Sequence, residues 1–296
     1  MDESFVAGST IRTDGVTGRL FPGRGVGPHP GVLVLHGSGG ARGYEQTYAA
    51  MLAEHGYTVL CVEYFGAPGV RDRFLEVPVE EFGRAAEWLL ARDEVGGETV
   101  GVVGFSRGGE AALLVGSLFD AVEVVVAYVP SGYVWAAPSW MDGVGENRPT
   151  WTRDGDAVPY IPTDDFDAAE DPFDGEPSAT VLALDRLPTD ELARTRIPVA
   201  EIDGPVLLVS GGRDSLWPSE FLASRVAEWL AEAEYPWAFE HLRNPEAGHA
   251  IRVPYQFDDD VDPTERHRFG GTHEANARAS ARAWHRSLAY LDHLRH

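Results

Sequence analysis

The sequence contains no lysine: all 24 of its basic residues are arginine, set against 47 aspartates and glutamates. The resulting net charge of −23 at pH 7 repels nucleic acid and anionic membranes, so neither is expected as a partner. An acidic excess with loss of lysine resembles the composition of proteins from salt-loving organisms. A GC-rich genome would also explain the missing lysine, but it explains the acidity less well. The composition therefore favours a halophilic protein.

Cysteine occurs only as Cys61, which excludes a disulfide within one chain. Cys61 lies in the apolar run TVLCV and is predicted to be a buried packing residue. No run of about 18 or more apolar residues occurs, and the N-terminal MDESFVAGST lacks the basic and apolar regions of a secretory signal. We therefore expect a soluble, cytoplasmic protein.

Short apolar stretches alternate with helical patterns along much of the chain. The apolar stretches are typical of strands buried on both faces of a sheet, and they span residues 31–37, 58–64, 99–105, 122–128 and 204–211. The helical patterns span residues 44–55, 79–92, 108–119, 219–232 and 274–294. This alternation predicts a single α/β domain over residues 1–296, with a mostly parallel central sheet flanked by helices. Sites in such sheets lie at the carboxyl ends of the strands.

Ser106 lies where a predicted strand meets a predicted helix, in the stretch GVVGFSRGGEAALL. Gly104 and Gly108 flank it in the pattern G-x-S-x-G, whose small residues let the strand and the helix approach each other. The pattern also arises by chance, and a glycine-rich turn can instead hold a phosphate. The position after a strand and before a helix favours a serine nucleophile.

A serine hydroxyl needs a neighbouring base to take its proton, and that base needs an acceptor that fixes its tautomer. Asp214 follows a predicted strand in VSGGRDSLWPS, where its alternative role is that of a turn or helix N-cap residue. His249 lies in a glycine-bearing loop after a further predicted strand, 237–242. The chain order Ser106, Asp214, His249 predicts a catalytic triad.

The turn HGSGG follows the first of these apolar strands, and we expect it to lie near Ser106. The backbone N–H groups of Ser38 or Gly39, together with that of Arg107, are predicted to form an oxyanion hole. His36 in the same turn is predicted to have a structural role.

No metal and no cofactor is predicted. His273 begins HEANA, which lacks the H-E-x-x-H spacing of a zinc site. The acidic run at residues 258–260 is interpreted as a solvated loop, with cation binding as the alternative.

The regular alternation stops between residues 131 and 203, where proline, aspartate and aromatic residues are frequent. A loop of this length in a compact domain is usually a lid or a binding segment. The alternative is a flexible, solvated insert, but such segments rarely carry many aromatic residues. We predict a lid over the site, with substrate contacts from Trp135, Trp140, Trp151 and Tyr160.

Four motifs together resemble a known family: GFSRG, GGRDSLWPS, GHAIRVPY and GGTHEANARASARAW. They are similar to motifs in the α/β-hydrolase catalytic domain of acyl-CoA thioester hydrolases and bile acid-CoA:amino acid N-acyltransferases. The resemblance implies an α/β-hydrolase fold and assigns the nucleophile to Ser106, the acid to Asp214 and the base to His249. The family's longer members carry a β-sandwich domain before the hydrolase domain, and we expect that domain to be absent here.

The resemblance also implies the reaction. Members that transfer acyl groups to amino acids use a cysteine as nucleophile, so the serine here favours hydrolysis of a small-molecule acyl thioester, acyl-CoA, or of an ester. A carboxylesterase, a dienelactone-hydrolase-like enzyme and a non-catalytic ligand-binding pseudo-hydrolase stay open as alternatives. Local arginines are expected to contact the phosphates of coenzyme A, and they are Arg42, Arg107, Arg252, Arg266 and Arg268.

Overall fold

A computed structural model describes residues 8–13, 15–41, 43–138, 141, 147–162, 184–255 and 269–296. The strands in chain order are β1 (Ser9–Thr13), β2 (Val16–Phe21), β3 (His29–Leu35), β4 (Thr58–Val62), β5 (Val77–Pro78), β6 (Val95–Phe105), β7 (Val122–Tyr128), β8 (Trp151–Arg153), β9 (Asp156–Ala157), β10 (Val206–Gly211) and β11 (Phe239–Asn244). The α-helices are α1 (Tyr44–Glu54), α2 (Glu80–Leu90), α3 (Arg107–Leu118), α4 (Thr189–Arg194), α5 (Ser219–Glu232) and α6 (His273–Leu291).

The central sheet has eight strands within these ranges, in the order β1-β2-β4-β3-β6-β7-β10-β11. From β4 to β11 every pairing is parallel, whereas β1 and β2 add an antiparallel edge. The predicted mostly parallel sheet flanked by helices is confirmed. The strands β1 and β2 were not predicted, because β2 (VTGRLF) alternates between buried and partly exposed residues and contains glycine and arginine.

Side chains alternate between two apolar clusters along a strand because successive residues point to opposite faces of a sheet. In β3, Leu33 and Leu35 belong to one cluster, whereas Val32 and Val34 belong to the other. Both faces are therefore covered, which explains the continuous apolar stretches in the sequence. Cys61 lies buried in the second cluster, as predicted, and burial raises the pKa of its thiol.

The described part of the 131–203 segment contains regular structure that the sequence did not indicate. Strands β8 and β9 form a small three-stranded sheet with β5, which lies outside the segment. Trp151 of β8 is fully buried and packs its ring against Phe74 and Phe82. The segment is therefore joined to the main domain by both backbone pairing and aromatic packing.

Within the described ranges, no helix combines the length and the apolar character that crossing a membrane requires.

Candidate active site

Ser106 lies on a sharp turn between the end of β6 and the start of α3. Its backbone has φ of 58° and ψ of −119°, which is strained for a residue with a side chain. A Cβ atom at Gly104 would overlap the carbonyl oxygen of Gly108, and one at Gly108 would overlap that of His36. Both flanking glycines are thus required by close backbone contacts, as predicted from the motif.

Asp214 and His249 meet at the carboxyl end of the sheet, although they lie in different loops. The Nδ1 atom of His249 is 2.8 Å from Oδ2 of Asp214, and the two side chains are 3% and 1% exposed. The other carboxylate oxygen accepts the backbone N–H groups of Leu216 and Trp217, at 3.0 and 3.3 Å. Asp214 is therefore both a turn aspartate and the partner of His249, the two roles that the sequence left open.

The imidazole of His249 is held between aromatic rings. Its centroid lies 5.9 Å from that of Phe269, nearly parallel, and 6.2 Å from the Trp217 ring. Its Nε2 atom is buried and has no hydrogen-bond partner among the residues that the structure describes. With the Nδ1 proton donated to Asp214, a neutral His249 presents Nε2 as a proton acceptor.

The HGSGG turn packs directly against the serine. The N–H of Gly40 donates to the carbonyl of Gly37 at 3.1 Å, which makes Ser38 and Gly39 the central residues of a tight turn. A Cβ atom at Gly37 would lie 3.3 Å from Cβ of Ser106. The backbone of this turn is therefore close enough to the serine to face a group bound there.

The other histidines near these motifs are otherwise occupied. His36 stacks on Tyr64 at a centroid distance of 3.9 Å, and burial lowers its pKa to about 4. His241 on β11 lies 2.7 Å from the Ser210 hydroxyl through Nε2, and burial lowers its pKa to about 4. His273 is the first residue of α6. His36 thus has the structural surroundings that the sequence predicted.

Sequence reasoning missed Glu110, which lies on α3 one turn after the nucleophile. Its carboxylate is fully buried and forms an ion pair with Arg107 at 3.2 Å. Burial raises the pKa of Glu110 to about 7 and lowers the pKa of Arg107. The available signal was a charged residue inside the apolar helix sequence GGEAALLVG. The expected phosphate contact by the Arg107 side chain is corrected here, because that guanidinium already binds protein groups.

The Arg107–Glu110 pair fastens the 131–203 segment to the helix of the nucleophile. Arg107 donates to the Trp135 carbonyl at 2.8 Å and to Thr150 Oγ1 at 2.5 Å. Glu110 accepts the indole N–H of Trp151 at 2.7 Å. The backbone N–H of Arg107 is separate from these contacts and belongs to the first turn of α3, where N–H groups have no intrahelical acceptor.

The aromatic residues predicted to contact substrate are placed as follows. Trp135 and Trp151 are 2% and 0% exposed and anchor the segment. Tyr160 is half-buried, and its hydroxyl donates to the Asn147 carbonyl at 2.7 Å. Direct substrate contact by these three stays a prediction. The other residues singled out from the sequence lie outside the described ranges: Trp140, Arg42, Arg266, Arg268 and the acidic run 258–260.

Val129 marks a second strained position at the site. It is a β-branched residue with φ of 41°, a conformation that such residues rarely adopt. Its carbonyl accepts the Trp217 indole N–H at 3.0 Å, and the carbonyl of the preceding Tyr128 accepts the Ser106 N–H at 2.8 Å. The strained turn therefore links the serine to the loop of Asp214.

Residues 77–295 match the family described as BAAT / Acyl-CoA thioester hydrolase C terminal. The chain belongs to this family. Human acyl-coenzyme A thioesterase 1 is 28% identical over 254 residues, covering 83% of this chain and 54% of the relative. The mouse peroxisomal succinyl-coenzyme A thioesterase is 25% identical over 288 residues, covering 95% and 64%. The chain thus spans about half the length of the first of these relatives and somewhat more of the second.

The chain also resembles a solved dienelactone hydrolase-like promiscuous phosphotriesterase, P91, obtained from metagenomic libraries. The TM-score is 0.58 at 16% identity, and the match covers 97% of this chain and 98% of that one. At this identity the likeness shows the fold alone. The predicted family and the predicted α/β-hydrolase fold are both confirmed.

Proposed function

We propose that this protein is a serine hydrolase that cleaves acyl-CoA thioesters, with Ser106 as nucleophile, His249 as base and Asp214 as the acid that orients it. The observations that carry the proposal are the buried His249–Asp214 pair, whose Nε2 has no hydrogen-bond partner among the described residues, and a serine on a strained turn at the same edge of the sheet. Family membership and the thioesterase relatives favour a thioester as substrate.

Acylation begins when His249 Nε2 takes the proton of the Ser106 hydroxyl as Oγ attacks the thioester carbonyl carbon. The oxygen of the tetrahedral intermediate accepts hydrogen bonds from the Arg107 N–H and from Ser38 or Gly39. Each such donor contributes about 2.7–4 kcal/mol to transition-state stabilisation. Collapse breaks the carbon–sulfur bond, and protonated His249 gives its proton to the departing sulfur.

Deacylation repeats the sequence with water. His249 takes a proton from water as the water oxygen attacks the acyl-Ser106 carbonyl carbon. Collapse breaks the bond to Oγ, which takes back the proton from His249, and a carboxylic acid leaves. We further propose that the 131–203 segment covers the site and excludes bulk water during these steps.

A second candidate function is hydrolysis of esters or lactones. The solved dienelactone hydrolase-like structure shares the fold of this chain. The same three residues would act on an ester carbonyl, so the substrate alone separates the two candidates.

A substrate panel is expected to favour acyl-CoA. The kcat/KM values for acetyl-, butyryl- and palmitoyl-CoA should be measured beside p-nitrophenyl esters and a dienelactone, with Ser106→Ala as the control. The thioesterase proposal fails if esters or lactones exceed every acyl-CoA by about a hundredfold, about 2.7 kcal/mol of transition-state stabilisation. A fluorophosphonate that leaves Ser106 unlabelled would favour the pseudo-hydrolase.

The acidic, lysine-free composition leads us to propose a halophilic enzyme. With 47 acidic against 24 basic residues, self-repulsion should destabilise the fold at low salt. The melting temperature and kcat/KM should both rise between about 0.1 M and about 1 M NaCl, where the Debye length falls from about 10 Å to about 3 Å. Both quantities would stay constant if the arginine content reflected codon bias alone.

A cytoplasmic location stays a prediction, because the names of the relatives include a mitochondrial and a peroxisomal thioesterase.

A further inference from the structure

The guanidinium group of Arg252 lies against two aromatic rings. Its Cζ atom lies 4.7 Å from the centroid of the Tyr44 ring and 4.9 Å from that of Phe269. The residue is half-buried. Contact with two rings restricts the planar group, whose N–H donors form a fork that suits carboxylate and phosphate.

The same two rings place Arg252 beside the candidate catalytic residues. Phe269 stacks on His249 at a centroid distance of 5.9 Å, and Arg252 lies over the same ring. Tyr44 meets the ring of Phe105, which precedes Ser106, edge-on at 5.5 Å. One ring therefore separates the guanidinium from the proposed base, and another separates it from the strand that carries the nucleophile.

Arg252 also differs from the other arginines near the site in its charge partners. Among the described residues, no carboxylate lies within ion-pair distance of its guanidinium and no group accepts a hydrogen bond from it. Its backbone N–H donates to Ser280 Oγ at 3.0 Å. By contrast, Arg71 and Arg107 bind Glu81 and Glu110. A half-buried guanidinium that has no anion among the described residues is unusual in a chain of net charge −23.

We propose that Arg252 binds an anionic oxygen group of the substrate. This inference rests on the proposed function and narrows its substrate class. The group is either a carboxylate at the far end of the acyl chain or a phosphate of the coenzyme A portion. Both present two oxygens to the fork of the guanidinium, and the aromatic stacking holds that fork in place before the ligand arrives.

Four thioesters separate the two sources: succinyl-CoA, butyryl-CoA and the corresponding N-acetylcysteamine thioesters, which lack the phosphates. The kcat/KM of each should be measured for the wild type and for Arg252→Gln. The matched control is Arg92→Gln, since Arg92 is also stacked on an aromatic ring, that of Trp88 at 4.7 Å, and pairs with Glu94 at the surface. The control should leave all four values unchanged.

Arg252→Gln should lower kcat/KM by roughly 10-fold to 100-fold, the effect of losing a hydrogen bond to a charged group. If Arg252 binds the acyl carboxylate, the loss falls on both succinyl substrates relative to both butyryl ones. If it binds a phosphate, the loss falls on both CoA substrates relative to both N-acetylcysteamine ones. An equal change in all four, or none, overturns the inference.

A binding measurement distinguishes failure of the inference about Arg252 from failure of the proposed thioesterase function. Coenzyme A or succinate should slow fluorophosphonate labelling of Ser106 in the wild type, and less so in Arg252→Gln. If the wild type hydrolyses no thioester, the proposed function fails, and this protection still tests anion binding at Arg252. Protection that is identical in the two proteins, or absent from both, overturns the inference.

Discussion

Replacement of Ser106 by alanine is expected to lower kcat by about 10⁴-fold to 10⁶-fold while the protein stays folded. The same loss is expected for His249→Ala, because His249 is the histidine whose Nδ1 pairs with the buried carboxylate of Asp214. His241 lies against Ser210, and burial holds the pKa of His36 at about 4. Steady-state kinetics with an acyl-CoA, together with a thermal melt of each variant, measures both parts of this prediction.

Among the triad variants, Asp214→Asn is the most informative, because it removes the charge of the carboxylate while keeping the geometry of its loop. The asparagine oxygen can still accept the N–H groups of Leu216 and Trp217, so the loop should keep its shape. Its amide, however, would face His249 Nδ1 with a donor and favour the tautomer that carries its proton on Nε2. We expect a loss of about 10⁴-fold in kcat with little change in melting temperature.

His273→Ala serves as the control for the histidine variants, because His273 lies in one of the family-like motifs but outside the proposed triad. It begins α6 and should keep kcat within about twofold of wild type, as expected for a substitution outside the catalytic unit. The triad assignment would be wrong if His249→Ala kept more than about a tenth of the wild-type rate while His273→Ala or His241→Ala lost it.

Glu110→Leu is expected to cost about 3–5 kcal/mol in the free energy of unfolding, because it leaves the buried Arg107 guanidinium without its counter-charge. Arg107→Met should cost a similar amount by isolating the carboxylate. The double variant should cost less than the sum of the two single ones, since it leaves neither charge buried alone. Urea unfolding of the four proteins measures this coupling.

The exposed pair Arg278–Glu274 provides the control for that cycle. Its side chains are 79% and 73% exposed, so Glu274→Gln should change the free energy of unfolding by less than about 0.5 kcal/mol. If Glu110→Leu lowered the free energy of unfolding as little as Glu274→Gln does, the buried pair would not be what holds the 131–203 segment against α3. Strict additivity in the double variant would lead to the same conclusion.

The same pair predicts a dependence of stability on pH. Burial raises the pKa of Glu110 from 4.5 to about 7, so the folded state binds the proton more tightly than the unfolded chain. The stabilisation from this group is therefore complete below about pH 4.5 and is lost as the pH rises through about 7. The free energy of unfolding of the wild type, relative to Glu110→Gln, should fall over that range. A difference that rose or stayed level would contradict the assigned environment.

The sequence predicted those parts of the site that depend on local geometry and chain order. The glycines around Ser106 lie in the same short motif as the turn that requires them, so the motif alone was enough to predict that turn. Asp214 and His249 follow β10 and β11, and parallel strands bring their carboxyl ends to one edge of the sheet.

Other features depended on contacts between distant segments and carried little local signal. Glu110 is stabilised by Trp151, which lies 41 positions later in the chain. The predicted substrate contact Trp151 is buried because β5 and the Phe74 ring complete its surroundings. Val129 adopts a left-handed conformation that no β-branched residue favours, so nothing in its own sequence indicated the turn.

The central claim, that Ser106 is the nucleophile at an acyl-CoA site, is tested most directly by the rate at which a fluorophosphonate labels Ser106 with and without an acyl-CoA. Peptide mass spectrometry identifies the labelled residue. We expect labelling at Ser106 in the wild type, none there in Ser106→Ala, and slower labelling when the acyl-CoA is saturating. Wild-type protein that remained unlabelled at Ser106, or labelling that saturating acyl-CoA left unchanged, would contradict it.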